Sequence, residues 1–298
     1  MNRPTFSYKG AKENKSIGIK ATLLAIIGLC SLTFASRASA QTDDFGLDFS
    51  LEAGKKICKG VDFSIEGNAR TQDYTQTIER WGIGAAVGVK VYNTKTFDVK
   101  ASAKWEYMWI NNLAETKDKY DTQEHNTQEG TVYEDIYEGY NYTKHFWRNR
   151  HRTSAAISAT YTPNKRWKFS LKETLQYNHF CKSSKTTEKW RIEDPEDEAS
   201  EWYLKGTERK SVRAKDRTVL RSKITAQYDT RRCPIDPYVS GEYGCGLNYH
   251  ANKWKFEAGT DYKLNKTHKL NLFYRYLTEN DDDEPNGHLV GIGYSIKF

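Results

Sequence analysis

Arg148, Arg150 and Arg152 alternate with Trp147, Asn149 and His151, so a strand through this segment carries three guanidiniums on one face. The other face continues as Ala155, Ile157 and Ala159. Guanidiniums grip phosphate and carboxylate through paired N–H donors. A row of them in a polar lumen could select an anionic solute or hold lipopolysaccharide phosphates. Glu66, Arg70, Lys104, Glu106, Arg221, Lys223, Glu242, Glu257 and Arg275 occupy the polar faces of their own alternating segments. Because acids are interleaved with bases, the simpler chemistry is a network of ion pairs filling a narrow lumen. Charges there must be paired or solvated.

Glu173 breaks this order. It sits in the apolar row Trp167, Phe169, Leu171, Leu175, Tyr177. A β-bulge that rotates it inward is the expectation; the alternative is a lipid-facing carboxylate, protonated or part of a catalytic site. His151 and Thr153 share a face two residues apart, but no serine completes a nucleophile–base pair with them. His125, His145, His179, His250 and His288 fall in loops or at rims, and no zinc-protease, serine-hydrolase or phosphate-loop motif occurs. No catalytic residue, metal ligand or cofactor is assigned. The acidic runs Glu193-Asp194, Glu196-Asp197-Glu198 and Asp281 to Glu284 lack calcium-loop spacing and read as solvated charge.

The elements that must position these groups are strands. At the end of the chain Val290, Ile292, Tyr294 and Ile296 alternate with Gly291, Gly293, Ser295 and Lys297 before Phe298, a strand with one apolar and one wet face. The pattern recurs at Phe45–Leu51, Val61–Ile65, Trp81–Val91, Phe97–Trp109, Trp147–Tyr161, Trp167–Tyr177, Leu220–Tyr228, Tyr238–Gly246, Trp254–Leu264 and Leu270–Tyr276. Short turns alternate with long polar segments, Ile110 to His145 and His179 to Asp216, which read as loops. Aromatics bracket the strands, Phe97 with Trp109 and Trp167 with Tyr177. That spacing suits a tilted strand crossing a bilayer, which needs about 9–11 residues. The count is eleven segments, whereas single-chain bacterial barrels are even-numbered. Phe45–Leu51 is therefore either a lumenal or partial strand, or one strand is missed.

The first forty residues read as a secretory leader: five early bases from Arg3 to Lys20, an apolar run Ala21–Leu32, and Ala38-Ser39-Ala40 before Gln41. They hold six Lys/Arg and one acid, so the formal charge of +7 falls to +2 without them. That removes most of the electrostatic case for a nucleic-acid partner. Residues 41–298 form one domain. Mean hydropathy is −0.84, which barrel strands tolerate because half of each is polar. The remaining cysteines are Cys58 and Cys233, placed in periplasmic turns, and Cys181 and Cys245, near the outer rim. A disulfide within either pair stays open.

Several local patterns occur in order: Arg70-Thr-Gln-Asp73, Glu79-Arg80-Trp81, Trp147-Arg-Asn-Arg-His-Arg152, Ser170-Leu-Lys-Glu173 with Gln176-Tyr177, Leu220-Arg-Ser-Lys223, Pro237-Tyr238 with Glu242, and the closing strand. Over roughly Asp44 to Phe298 the chain resembles the Gram-negative outer-membrane family catalogued as domain of unknown function 2490. Lys172 and Lys223 stand where that pattern would have arginine. The resemblance implies an outer-membrane barrel and no activity.

The expectation is an all-β, antiparallel, up-and-down transmembrane barrel of about 10–12 strands, with short periplasmic turns and long extracellular loops. It would act as a small channel or structural barrel with a charged lumen. The alternatives are a surface adhesion protein working through its loops and a lipid-modifying enzyme. The expected partners are outer-membrane lipids, lipopolysaccharide included, and the barrel-assembly machinery reading the C-terminal strand.

Overall fold

The computed structural model describes residues 44–298 apart from 128–129, 194–199, 232, 251 and 280–286. The leader, the acidic run Asp194 to Glu198 and the run Asp281 to Glu284 lie outside the described residues.

Fifteen strands run in chain order. They begin with β1 Asp44–Cys58, β2 Val61–Gln72, β3 Thr77–Asn93, β4 Phe97–Asn112, β5 Glu115–Thr127, β6 Gly130–Thr143 and β7 Phe146–Tyr161. Then follow β8 Trp167–Phe180, β9 Ser183–Ile192, β10 Trp202–Val212, β11 Lys215–Tyr228, β12 Ile235–Gly246, β13 Asn252–Lys263, β14 His268–Glu279 and β15 Gly287–Lys297. No helix among the described residues is long and apolar enough to cross a membrane.

Eleven strands close into a barrel in the order β1-β15-β14-β13-β12-β11-β8-β7-β4-β3-β2. An odd count explains the Phe45–Leu51 segment. With strands alternating in direction, the first and eleventh run the same way, so the ring must close on a parallel pair. β1 is a full wall strand, parallel to β15 from Asp44↔Gly287 to Gly54↔Lys297. The barrel is therefore antiparallel, as expected, with one parallel pair at this seam. Parallel ladders are slightly weaker per residue, and the top of β1 is tied down separately. The Asp44 carboxylate accepts from the backbone N–H groups of Asp73 and Tyr74, each at 3.0 Å. Those residues, with Thr75, hold left-handed φ values of 56°, 51° and 72° in the β2–β3 turn.

The two long polar segments are not loops. β5, β6, β9 and β10 form a second sheet in the order β10-β9-β6-β5. Each strand adjoins a barrel strand after a two-residue interruption, at 113–114, 144–145, 181–182 and 213–214. The sheet repeats the lateral order of β11-β8-β7-β4 below it, so it prolongs one arc of the wall past the rim. Arg148 fastens the joint, donating through Nε to Cys181 O at 3.0 Å and through Nη2 to Arg213 O at 2.8 Å. One face of the sheet is aromatic: Tyr140 lies 5.2 Å from Trp202 and 6.4 Å from Trp190, and Tyr120 lies 5.4 Å from Tyr137 between ring centroids.

The barrel inverts the usual inside-out rule. Its buried residues are mainly polar, including Arg70, Glu79, Glu106, Arg150, Gln176 and Lys253, with Met108 the most enclosed side chain. The exposed face carries Ile65, Ile83, Val89, Ile157, Ile224, Val239 and Phe256. Aromatic pairs mark both edges of that face, Trp81 stacked on Trp109 at 3.9 Å and Trp167 against Tyr228 at 5.1 Å. From Trp167 to Tyr177 a strand tilted by ~45° rises about 23 Å, close to the ~25 Å apolar band of outer-membrane barrels.

Candidate functional site

The lumen is where chemistry collects. Alternation alone sends the polar half of each strand inward, and the register sets which groups meet. Arg275 on β14 donates to Glu257 on β13 at 2.7 Å and to Asp48 on β1 at 2.8 Å. Glu257 also takes Lys223 of β11 at 3.4 Å. Asp48 pairs with Arg70 of β2 at 3.2 Å, and Arg70 with Glu79 of β3 at 3.5 Å. A second group joins Glu66 to Lys104, Lys104 to Glu106 at 3.2 Å, and Glu106 to Arg152 at 3.7 Å. In a third, Glu242 holds Lys255 at 2.8 Å and Arg221 at 3.5 Å. These links run along the wall, within a strand or between adjacent or next-adjacent strands. The axis therefore keeps a cavity of about 370 Å³, lined by members of all three groups, Glu79 excepted, together with Asn68, Ser240, Asn271 and Phe273. At ~30 Å³ each it has room for roughly a dozen waters. A second chamber of about 250 Å³, toward the β1–β2 turn, shares Glu66 and Lys104 with the first.

Of the residues selected from the sequence, Glu66, Arg70, Lys104, Glu106, Arg152, Arg221, Lys223, Glu242, Glu257 and Arg275 line the central cavity together. Arg148 and Arg150 stand above it, at the end that carries the second sheet. Their guanidiniums lie 5.0 and 5.2 Å from the Phe180 ring centroid. Arg217 joins them at 5.8 Å and also covers the Tyr249 ring at 4.6 Å.

Sequence reasoning missed Asp48, Lys255, Arg217 and Lys253. Asp48 and Lys255 alternate with Leu47 and Trp254 inside segments already read as strands, which was signal enough, whereas Arg217 and Lys253 lie just outside the segments read from the sequence. Glu79 had no such signal. The register shifts between Arg70 and Thr71, leaving Glu79 as the extra residue of a bulge that turns it inward beside Arg80.

The bulge expected at Glu173 is absent. Glu173 sits in unbroken register between Ile157 and Ser222 and points outward. Ser222 Oγ donates to its Oε2 at 2.7 Å, so a neighbouring hydroxyl supplies the hydrogen bond that an inward turn would have provided. Alongside lies a shallow apolar depression lined by Ala101, Ala103, Ala155, Leu175 and Leu220.

Higher on the same outer face, His179 Nδ1 meets Asp216 Oδ1 at 2.7 Å, and Tyr177 donates to that oxygen at 2.8 Å. His179 is thus a paired strand residue, not a loop histidine. It stands opposite His151, with ring centroids 6.4 Å apart. Ser222 and Asp216 are six positions apart on β11, about 20 Å of strand, so the serine–carboxylate and imidazole–carboxylate pairs do not form one site.

The described residues contain no cluster of three or more His, Cys, Asp or Glu arranged for a metal ion. Cys58, Cys181, Cys233 and Cys245 are free thiols, and neither pair left open by the sequence is bridged. No family model matches the chain, and no curated protein matches it.

Proposed function

We propose that this chain is an outer-membrane β-barrel protein whose lumen is a narrow, water-filled conduit for small solutes. The observation that carries the reading is the inverted polarity of a closed wall: apolar side chains outward between two aromatic edges, ionised side chains inward around an axial cavity. Water would not cover an apolar band of this extent on a soluble monomer, whereas hydrocarbon does so at no cost. An eight-stranded barrel is filled by its own side chains, and sixteen or more strands leave a wide channel. Eleven strands with wall-hugging ion pairs fall between these limits. The lining holds eight Lys or Arg against five Asp or Glu, which favours anions. The resemblance in motif order to an outer-membrane family, read from the sequence, points to the same setting. Lipids of that membrane would cover the wall, and the assembly machinery would read β15.

The test is steady-state conductance of the folded protein in a planar bilayer. A small current with anion preference is expected, shifting toward cations in Lys223→Glu. A folded, inserted protein that passes no current would sink the conduit.

A second reading, surface attachment, is favoured by one observation. Tyr120, Trp202, Tyr203 and Leu204 of the added sheet remain exposed, and the sheet prolongs the wall past the rim. Loss of cell attachment on deleting residues 115–143 and 183–212 together would support it.

A further inference from the structure

Two like-charge pairs stand on opposite walls of the lumen. Glu52 of β1 lies directly opposite Glu66 of β2, and Lys172 of β8 directly opposite Lys223 of β11. Like charges in such cross-strand positions repel, so each pair must find its counter-charges elsewhere. Glu66 takes Lys104, and Lys223 reaches Glu257 at 3.4 Å. Asp62, the remaining acid of the second chamber, is held by Lys100 at 2.7 Å. Glu52 and Lys172 are left over. Among the described residues neither has an ion pair or a side-chain hydrogen bond, and both are exposed within the chamber of about 250 Å³ that they line. Their strands are five steps apart one way round the ring and six the other, so carboxylate and ammonium project from opposite walls. Eleven strands spaced ~4.8 Å apart and tilted ~40° close a ring about 22 Å across between backbones, too wide for these two side chains to meet. At ~30 Å³ each, roughly eight waters fill the chamber, or a solute with about as many non-hydrogen atoms. Its lining holds three acids and three bases, with hydroxyls from Ser102, Ser154 and Thr174. Such a lining favours neither sign of charge and orients a dipole. An anion bound to Lys172 would face Glu52 unpaired, and a cation bound to Glu52 would face Lys172. A solute bearing both an ammonium and a carboxylate satisfies the two together through charge-assisted hydrogen bonds.

We propose that this chamber binds a small zwitterionic solute of the amino-acid class, its ammonium on Glu52 and its carboxylate on Lys172. The inference rests on the conduit reading, since the solute must reach the chamber through water. It deepens that reading by naming the class of solute held on the way.

Saturation-transfer NMR titrations of the folded, full-length protein in detergent test the site with three probes of one shape. They are L-alanine, L-lactate (a hydroxyl in place of the amine) and L-alaninol (a hydroxymethyl in place of the carboxylate). L-alanine is expected to bind saturably, and each single-charge probe roughly tenfold or more weakly, the loss of one hydrogen bond to a charged group. Glu52→Gln should weaken L-alanine by a similar factor without weakening L-lactate. Lys172→Gln should do the same while sparing L-alaninol. Each substitution relieves a like-charge opposition; should a variant still not fold, the three probes on the wild type decide alone. Lys168→Gln makes an equal charge change on the same strand outside the chamber and should leave binding as it is. No saturable L-alanine binding, equal affinity for the three probes, unchanged binding in both folded chamber variants, or an equal loss in Lys168→Gln would each overturn the proposal. The outcome is separable from conductance: a protein that binds L-alanine and carries no current keeps the site and loses the conduit. One that conducts without binding does the reverse.

Discussion

Arg275 Nη1 lies 2.8 Å from Asp48 Oδ2, a contact between residues 227 positions apart. Their strands, β14 and β1, flank β15, so the ion pair reaches across one strand and spans the parallel seam from inside. It can do so because β15 presents Gly291 and Gly293 to the lumen, opposite Asp48 and Ser50. The weakest ladder in the ring is thus reinforced by side chains from both of its neighbours.

Removing one member of this pair leaves the other with one partner fewer, Arg70 remaining for Asp48 and Glu257 for Arg275. Asp48→Asn or Arg275→Gln should each lower barrel stability by about 2 kcal/mol, in the range for a hydrogen bond between charged groups. The double variant should lose less than the sum of the two. The measure is the temperature at which the folded electrophoretic band disappears in detergent. Strict additivity would show that the contact contributes nothing.

Gly291 is required for room rather than for conformational freedom. A Cβ there would fall inside the van der Waals surface of the Phe273 ring, which is itself covered by the Arg275 guanidinium at 4.5 Å. Gly291→Val should destabilise by about 1–3 kcal/mol, the usual cost of overpacking. Adding Phe273→Ala should return part of that loss. A folding yield unchanged in Gly291→Val would contradict the packing described.

On the outer face, Glu173 with Ser222 should be replaceable by apolar residues. Glu173→Leu/Ser222→Ala is expected to keep or raise the urea midpoint of the reconstituted protein. Glu173→Lys should cost about 2–4 kcal/mol, as a base does near the bilayer midplane. Equal midpoints for the leucine and lysine variants would place Glu173 outside hydrocarbon.

The added sheet has its own pH dependence. Lys144 Nζ lies 2.6 Å from Glu188 Oε1. The hydrogen bond to Lys144 holds the Glu188 carboxyl below its ordinary range, and the same bond raises the Lys144 ammonium. Glu188 therefore contributes stability that is complete above its unfolded pKa and lost as pH falls through its lower folded value. The lysine's share disappears only in strong alkali. Hydrogen exchange of β6 and β9, corrected for intrinsic rates, should quicken between pH 6 and pH 3. Glu188→Gln should exchange faster at pH 6 and show a smaller change. An identical pH response in both proteins would rule the pair out.

The barrel strands were legible because one physical demand, apolar outside and polar inside, writes a strict two-residue period. The lumenal residues follow from the same period, and so ten of them line one cavity. The added sheet was illegible because that demand does not apply to it. Its strands bury little, and register shifts at Lys119/Tyr120 and Leu204/Gly206 break the alternation that a strand would otherwise display. Glu79 and Glu173 show the same limit in two directions. A single inserted position turns a charge inward with no local mark in the sequence, and a neighbouring hydroxyl keeps one outward where the pattern suggests a turn. The seam, too, depends on a count modulo two, which no single segment contains.

That count has a topographic corollary. In an even ring both ends of the chain surface on one side, but here the first strand starts at the rim bearing the extra sheet and the last finishes at the opposite rim. In the outer-membrane setting proposed above, an epitope inserted just before Asp44 and another appended after Phe298 would report from opposite sides of the layer, one reachable by antibody on intact cells and the other only after the envelope is breached.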